Sequence, residues 1–136
     1  MSEPVSVRWK HDGLLFEGAT AHGHVDLASG LDPAGSGVAP MELLAVALGG
    51  CTAMDVLSIL TKMRQPVEEF RVEVGGTRAG EHPKRFTSLE IVYRFEGDLD
   101  EAQVARAIEL SETRYCGVEA TLRPAVPITS RFEIER

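Results

Sequence analysis

The sequence has few cysteines, few aromatic residues and no cluster of basic residues. Its 136 residues include two cysteines, and the formal net charge is -7. Two cysteines exclude a disulfide-rich scaffold, and with no signal-peptide pattern after Met1 they predict a reducing, cytoplasmic location. The acidic excess would repel a phosphate backbone, so no nucleic-acid partner is expected.

Long hydrophobic runs are also missing. The longest stretch without a charged residue, 43–54, is shorter than the roughly 20 apolar residues that span a bilayer, and it contains two glycines and a thiol. We therefore expect no membrane span. The length fits a single domain, 1–136, which would bury about two thirds of the surface that the unfolded chain exposes.

Residue patterning predicts three short strands, a long helix, two strands, a second helix and a last strand. The long helix runs from about Met41 to Arg64 and must end before Pro66. The second helix begins after a cap at Asp98 or Asp100 and ends near 114–117. Alternation of apolar and polar residues places the strands at 5–9, 14–16, 24–27, 70–74, 89–95 and 128–134. This order predicts an α+β fold with mostly antiparallel pairing around one long central helix.

Cys51 lies in the long helix, in a stretch that is apolar nearly all round. Such a helix has to be buried. Gly49 and Gly50 each cost about 1 kcal/mol relative to alanine, so we interpret them as the point where another helix crosses, with accommodation of a bulky neighbour as the alternative. Because one small chain can hardly cover this helix, we expect an obligate twofold dimer that crosses near these glycines.

Several segments around the cysteines carry a family resemblance. They are Pro-Met-Glu-Leu-Leu at 40–44, Gly-Gly-Cys at 49–51, Arg-Ala-Ile-Glu-Leu-Ser at 106–111 and Tyr-Cys at 115–116. Over essentially the whole chain, this sequence resembles the OsmC/Ohr superfamily of osmotically induced and organic-hydroperoxide-resistance proteins. The resemblance implies an intertwined homodimer in which a cysteine on the central helix attacks peroxides and a second cysteine resolves the product. It also implies reduction by a dithiol or a lipoylated protein, with no metal, flavin or haem cofactor.

By this resemblance Cys51 is the attacking thiol and Cys116 the resolving thiol. A thiol acts as a nucleophile only as thiolate, and apolar burial raises its pKa, so Cys51 needs a nearby cation. Cys116 is expected at the carboxyl end of the second helix, where the dipole disfavours a thiolate. That position suits a resolving thiol, which needs only to meet a sulfenic acid.

Two further residues are candidates for activating Cys51, because Ohr-like proteins pair an arginine with a glutamate at this site. Glu42 is the candidate glutamate, although the family position corresponds to Met41, and Glu42 equally suits a role at the helix amino end. No arginine lies between Phe16 and Pro40, so Arg8 is the candidate from the first strand. Its alternative role is a solvated residue on the polar face of that strand. Arg78 and Arg85 are further alternatives from a loop.

Other polar residues have more open interpretations. His22 and His24 have a spacing that can hold a metal ion, but a surface hairpin is the simpler interpretation. Asp55 is a lone charge one turn after Cys51 and should find a cationic partner. Ser111 and Tyr115 are candidates for hydroxyl groups near the thiols, with structural hydrogen bonding as the alternative.

The sequence thus favours a thiol-dependent peroxidase that reduces organic hydroperoxides through Cys51 and Cys116. An apolar pocket between two subunits, lined from residues 43, 44, 47, 48 and 54, would favour organic hydroperoxides over hydrogen peroxide. The alternative is a non-catalytic stress or ligand-binding protein of the same fold that lacks the activating arginine.

Overall fold

The computed structural model of the chain describes residues 4–29 and 36–136. Strands β1 to β3 come first, followed by helix α1 at Pro40–Lys62. The later elements are β4, β5, helix α2 at Glu101–Leu110, a π-turn at Ser111–Tyr115, helix α3 at Gly117–Leu122 and β6. The strands span Ser6–Trp9, Phe16–Ala19, His24–Leu27, Glu69–Arg78, Phe86–Glu96 and Ile128–Glu135. The α+β class predicted from the sequence is confirmed by this order of elements.

The contacts divide the chain into two compact units, Met1–Leu44 and Ala45–Arg136. In the first unit, β1, β2 and β3 form an antiparallel sheet in sequence order. A second strand is present, but β2 begins at Phe16, so the predicted range 14–16 was displaced by two residues. The reason is a turn in which the Leu15 N–H donates to the Asp12 carbonyl at 3.0 Å and the Lys10 N–H donates to the Leu15 carbonyl at 2.9 Å.

The second unit contains a sheet in the order β4-β5-β6. Strands β4 and β5 are antiparallel, whereas β5 and β6 are parallel, so three of the four pairs of described strands have the predicted antiparallel pairing. Strand β4 extends beyond the predicted range 70–74 and includes Gly75 and Gly76. The alternation that predicted a strand at 89–95 corresponds to one buried face of β5, with each member at most 2% exposed: Leu89, Ile91, Tyr93 and Phe95.

Helix α1 has the predicted bounds to within two residues, but it is buried along one stripe only. The stripe consists of Leu48, Gly49, Thr52, Val56 and Leu60. Elsewhere on the helix the chain leaves apolar side chains exposed: Val46 at 61%, Met54 at 76% and Leu57 at 43%. Among the described helices, α1 is also the one whose length and composition would permit it to cross a membrane, as core helices of soluble proteins often would.

Gly49 lets α1 approach strand β4. A methyl group at Gly49 would lie 3.0 Å from Val74 Cγ2 and 3.7 Å from Val72 Cγ1. A methyl group at Gly50 would meet no atom of the described chain within 4 Å. Within this chain, therefore, Gly49 accommodates a bulky neighbour on the sheet, and Gly50 faces open space.

The carboxyl-terminal helical region has three parts where the sequence predicted one helix. Asp100 caps α2, because its carboxylate accepts the Ala102 N–H at 2.9 Å. The residues expected to face the core are buried, and they are Val104, Ala107, Ile108 and Ser111. The chain then passes through the π-turn to Cys116, which is the N-cap of the short helix α3. Cys116 thus stands between two helical segments instead of ending the last one.

A thiol pair with a carboxylate as the candidate active site

Cys51 and Cys116 come together in the second unit, with a carboxylate beside them. The two sulfur atoms and an oxygen of Asp55 all lie within 4.8 Å of one another. Both cysteines are free thiols; Cys51 is half-buried and Cys116 is 3% exposed. These are the only three potential metal-ligating side chains grouped so closely in the part of the chain that the structure describes. Proximity of the two thiols, expected from the family resemblance, is therefore present.

The local structure explains why these groups meet. Cys51 and Asp55 are four residues apart on α1, so they share one face of the helix. The π-turn accommodates an extra residue within the helical path, a feature that often occurs at functional sites. It presents Ser111, whose Oγ donates a hydrogen bond to Asp55 Oδ2 at 3.0 Å. Cys116 follows at the end of the same turn.

The partner of Asp55 differs from the sequence prediction. A cation was expected, but among the described residues Asp55 forms no ion pair, and its hydrogen-bond donor is the Ser111 hydroxyl. A short hydroxyl-bearing side chain at a buried position of the π-turn can reach the carboxylate directly. Ser111 therefore lies close to the thiols, and its hydrogen bond fits the structural role that the sequence offered as the alternative. Tyr115 is 57% exposed, with the Arg114 guanidinium 6.0 Å from the centre of its ring.

The surroundings of Cys116 keep its thiol protonated. The Glu119 N–H donates to Cys116 Sγ at 3.3 Å, which favours the thiolate. Burial opposes this effect and is the larger influence; together with the neighbouring Cys51 thiol it raises the pKa of Cys116 to about 12. Cys116 is therefore a poor first nucleophile, as the sequence predicted, but the main cause is burial and not a helix carboxyl end.

A second carboxylate, which unlike Asp55 is fully buried, belongs to Glu119 in the helix that follows Cys116. Glu119 is 1% exposed and forms an ion pair with Arg123 at 3.1 Å. Its Oε2 atom is buried, and no described residue donates a hydrogen bond to it. Burial, followed by the negative charge of Glu112, raises the pKa of Glu119, and Arg123 partly offsets this effect. The Glu119–Arg123 ion pair was not predicted from the sequence, although an acidic residue four positions before an arginine is a recognised helical spacing.

A hydrogen-bonded cluster on the sheet side supports the same region. The hydroxyl of the buried Tyr93 donates to Glu112 Oε2 at 2.7 Å, and the Ser130 hydroxyl donates to Glu112 Oε1 at 3.1 Å. Burial and then the Glu112 carboxylate raise the pKa of Tyr93, so Tyr93 remains a neutral donor. The guanidinium of Arg123 also donates to the backbone carbonyl of Glu112. The π-turn is thus connected to β5, β6 and α3.

Glu42 and Arg8, the two predicted activating residues, have local partners. Glu42 Oε1 accepts the Ala39 N–H at 2.9 Å, which places its carboxylate at the amino end of α1. The Arg8 guanidinium lies 3.7 Å from Glu17 Oε1, and the Arg8 side chain is 82% exposed. These contacts match the alternative roles that the sequence offered. A role for either residue beside Cys51 stays a prediction.

The remaining candidates are also engaged locally. Arg78 Nε donates to the Lys84 carbonyl at 2.8 Å, and Arg85 donates to the Phe86 carbonyl at 3.5 Å. His22 and His24 are exposed at the hairpin between β2 and β3. The geometry of that hairpin is that of an ordinary turn, in which the Thr20 N–H donates to the Gly23 carbonyl at 2.8 Å.

Comparison with known proteins agrees with this arrangement of elements. The model of the family described as OsmC-like protein matches residues 33–131. The chain belongs to the OsmC-like protein family. A relative from Escherichia coli strain K12, Protein YhfA, is 41% identical over 129 residues, which cover 94% of this chain and 95% of the relative.

Solved structures show the same OsmC-like fold. A hypothetical protein from Aquifex aeolicus VF5 has a TM-score of 0.85 at 30% identity, over 100% of this chain and 99% of that one. The organic hydroperoxide resistance protein OhrB of Bacillus subtilis has a TM-score of 0.68 at 16% identity, over 98% of both chains. At 16% identity, the similarity to OhrB shows a shared fold and nothing more. The long helix and the mixed sheets of this chain are therefore those of OsmC-like proteins.

Proposed function

We propose that this OsmC-like protein is a thiol-dependent peroxidase that reduces organic hydroperoxides in the cytoplasm. The observation that carries the proposal is the meeting of Cys51 and Cys116, whose sulfur atoms lie within 4.8 Å of each other on separate elements. A disulfide between them needs a movement of at most about 3 Å, since the bond itself is about 2.05 Å long. The name of the OhrB relative, an organic hydroperoxide resistance protein, supports the same chemistry.

The different burial of the two thiols supports different roles in the proposed reaction. Cys51 is half-buried and open to substrate, whereas Cys116 is 3% exposed. The Cys51 thiolate attacks the outer peroxide oxygen; an S–O bond forms, the O–O bond breaks, and the alkoxide takes a proton and leaves as alcohol. Cys116 then attacks the sulfenic acid on Cys51, so that a disulfide forms and the hydroxyl leaves with the Cys116 proton as water. A dithiol or a lipoylated protein reduces the disulfide.

Substrate preference follows from the apolar residues around Cys51. Ala47 and Met54, one turn before and one turn after Cys51, are exposed and available to an alkyl group. Leu48, which the sequence also suggested for the pocket, is 0% exposed in the core and cannot line it. Each buried methylene contributes about 0.8 kcal/mol, so two of them account for a preference of about tenfold over hydrogen peroxide.

The proposed assembly is a homodimer. The exposed Val46, Met54 and Leu57 side chains of α1 form an apolar surface that a second copy would cover. Gly50, which faces open space, would then lie at the crossing of the two α1 helices. We propose that a second copy of the chain, and not a membrane, covers this surface.

A non-catalytic binding protein is the second candidate, and one observation favours it. The side chains grouped with Cys51 within 4.8 Å are the Cys116 thiol and the Asp55 carboxylate, and neither supplies a positive charge. Without an activating cation, Cys51 would react no faster than a free thiol. The alkylation rate of Cys51 with iodoacetamide, compared with that of free cysteine across a pH series, separates the two candidates.

The activity test uses saturating dithiol, so that the oxidative step limits turnover. Consumption of cumene hydroperoxide should show a kcat/KM at least about tenfold above that of hydrogen peroxide. The Cys51→Ser variant should show none of this activity. Equal activity in wild type and Cys51→Ser excludes the mechanism.

A further inference from the structure

The group around Cys51 contains three donor atoms of the kinds that bind zinc. Two thiols and one carboxylate oxygen lie within 4.8 Å of one another. A tetrahedral Zn²⁺ holds sulfur at about 2.3 Å and oxygen at about 2.0 Å, so such donors stand roughly 3.5–3.8 Å apart. Each donor separation would have to contract by at most about 1.3 Å, which rotation of the Cys51 and Asp55 side chains can supply.

The ligands are also oriented by the hydrogen bonds expected around a metal site. The Ser111 hydroxyl donates to Asp55 Oδ2 at 3.0 Å, and the Glu119 N–H donates to Cys116 Sγ at 3.3 Å. Donors of this kind fix carboxylate and thiolate ligands around metals and stabilise their negative charge. Neither donor comes from α1, so the π-turn and α3 position the group independently of the helix that carries Cys51.

We propose that the reduced protein binds one Zn²⁺, or a similar thiophilic divalent cation, through Cys51, Asp55 and Cys116. Three protein ligands leave a fourth position for water, as in open zinc sites. Two sulfur ligands select zinc or cadmium over magnesium and calcium, which prefer oxygen. The ion supplies the positive charge that the group of two thiols and a carboxylate lacks.

Metal binding and the disulfide exclude each other, because Zn²⁺ needs the thiolates of Cys51 and Cys116 and the disulfide consumes both. This consequence rests on the proposed function. One organic hydroperoxide and two protons convert the two zinc-bound thiolates into a disulfide, with release of Zn²⁺, one alcohol and one water. Zinc would thus occupy the reduced protein and leave on oxidation.

The test is a titration of the reduced full-length protein with Zn²⁺ against a chromogenic chelator, repeated with Co²⁺. We expect one ion per chain and the absorption bands of tetrahedral thiolate-bound Co²⁺. Cys51→Ser, Cys116→Ser and Asp55→Asn should each weaken Zn²⁺ binding by at least about 10–100-fold, which is the effect of losing even an outer hydrogen-bond partner. If Cys116→Ser fails to fold because Cys116 is buried, the Cys51→Ser variant still tests the site, since Cys51 is only half-buried.

Matched controls distinguish this site from other ligands. Asp98→Asn changes a carboxylate whose side chain is 96% exposed, and it should bind Zn²⁺ like wild type. The double variant His22→Ala/His24→Ala should also bind normally. Binding that is lost in the histidine variant but retained in Cys51→Ser overturns the proposal, as does Co²⁺ binding without thiolate bands.

A separate assay distinguishes this proposal from the proposed function. Hydroperoxide consumption is measured in the presence of a chelator that removes Zn²⁺. If the protein binds Zn²⁺ normally but consumes no hydroperoxide, the peroxidase proposal is contradicted and the metal site stands. If the reduced protein binds no Zn²⁺ but has normal peroxidase activity, the metal site is contradicted and the peroxidase proposal stands.

Discussion

At the scale of single residues, the two cysteines have different surroundings and therefore different expected reactivity. Cys116 is buried, accepts a backbone N–H from Glu119, and has a pKa raised to about 12. Cys51 is half-buried on α1. In the proposed peroxidase, this difference is the reason why we expect Cys51 to attack the hydroperoxide and Cys116 to resolve the product.

The first prediction tests that asymmetry. Cys116→Ser should still reduce one equivalent of organic hydroperoxide and should then accumulate a sulfenic acid on Cys51, because no second thiol removes it. Dimedone labelling followed by peptide mass analysis detects the adduct. Labelling of Cys116 in the Cys51→Ser variant, at the wild-type rate of peroxide consumption, would reverse the assignment.

The second prediction concerns Tyr93, the buried donor to Glu112. Tyr93→Phe removes a 2.7 Å hydrogen bond to a carboxylate, so the free energy of unfolding should fall by about 1–3 kcal/mol. Tyr115→Phe removes the same atom from a side chain that is 57% exposed, and it should change stability by less than about 0.5 kcal/mol. Urea unfolding of both variants makes the comparison. Equal losses in the free energy of unfolding for the two variants would contradict a stabilising role of the Tyr93–Glu112 hydrogen bond.

At the scale of elements, α1 has one glycine that packs against the sheet and one that faces open space. A methyl group at Gly49 would lie 3.0 Å from Val74 Cγ2, whereas at Gly50 it would meet no described atom within 4 Å. The third prediction follows from this difference. Gly49→Ala should lower the stability of the folded chain, and Val74→Ala should restore part of the loss because it removes the crowded methyl group.

Gly50 should behave differently when the protein is dimeric. Gly50→Ala alone would favour the helix by about 1 kcal/mol, whereas Gly50→Leu should weaken a dimer that crosses at this residue. Urea unfolding at several protein concentrations separates the two effects, because only a dimer has concentration-dependent stability. Gly50→Leu with an unchanged concentration dependence contradicts a crossing at Gly50.

The elements that the sequence predicted well have strong periodic patterns. Helix α1 and the apolar face of β5 were found because each carries a long run of suitably spaced apolar residues. Helix α3 was missed because it has six residues and begins at Gly117, which resembles a helix end. The π-turn leaves no periodic signal, so the meeting of Ser111 with Asp55 was not predictable as a specific contact. The Cys51–Cys116 pair was expected only through family resemblance.

At the scale of the whole molecule, the exposed apolar side chains of α1 are the surface on which the proposed second copy would pack. Val46 and Met54 are 61% and 76% exposed, although both belong to the most apolar segment of the chain. The fourth prediction is a stable homodimer at micromolar concentration in detergent-free buffer. Light scattering coupled to gel filtration measures the mass. A stable monomer would contradict the dimer, and a requirement for detergent would favour a membrane as the partner.

The most direct test of the peroxidase proposal is a stoichiometric reaction of the reduced protein with one equivalent of cumene hydroperoxide. We predict the loss of two thiols per chain, the formation of one equivalent of cumyl alcohol, and a disulfide-linked pair of peptides that contain Cys51 and Cys116. A protein that keeps both thiols while the hydroperoxide remains unreacted would contradict it.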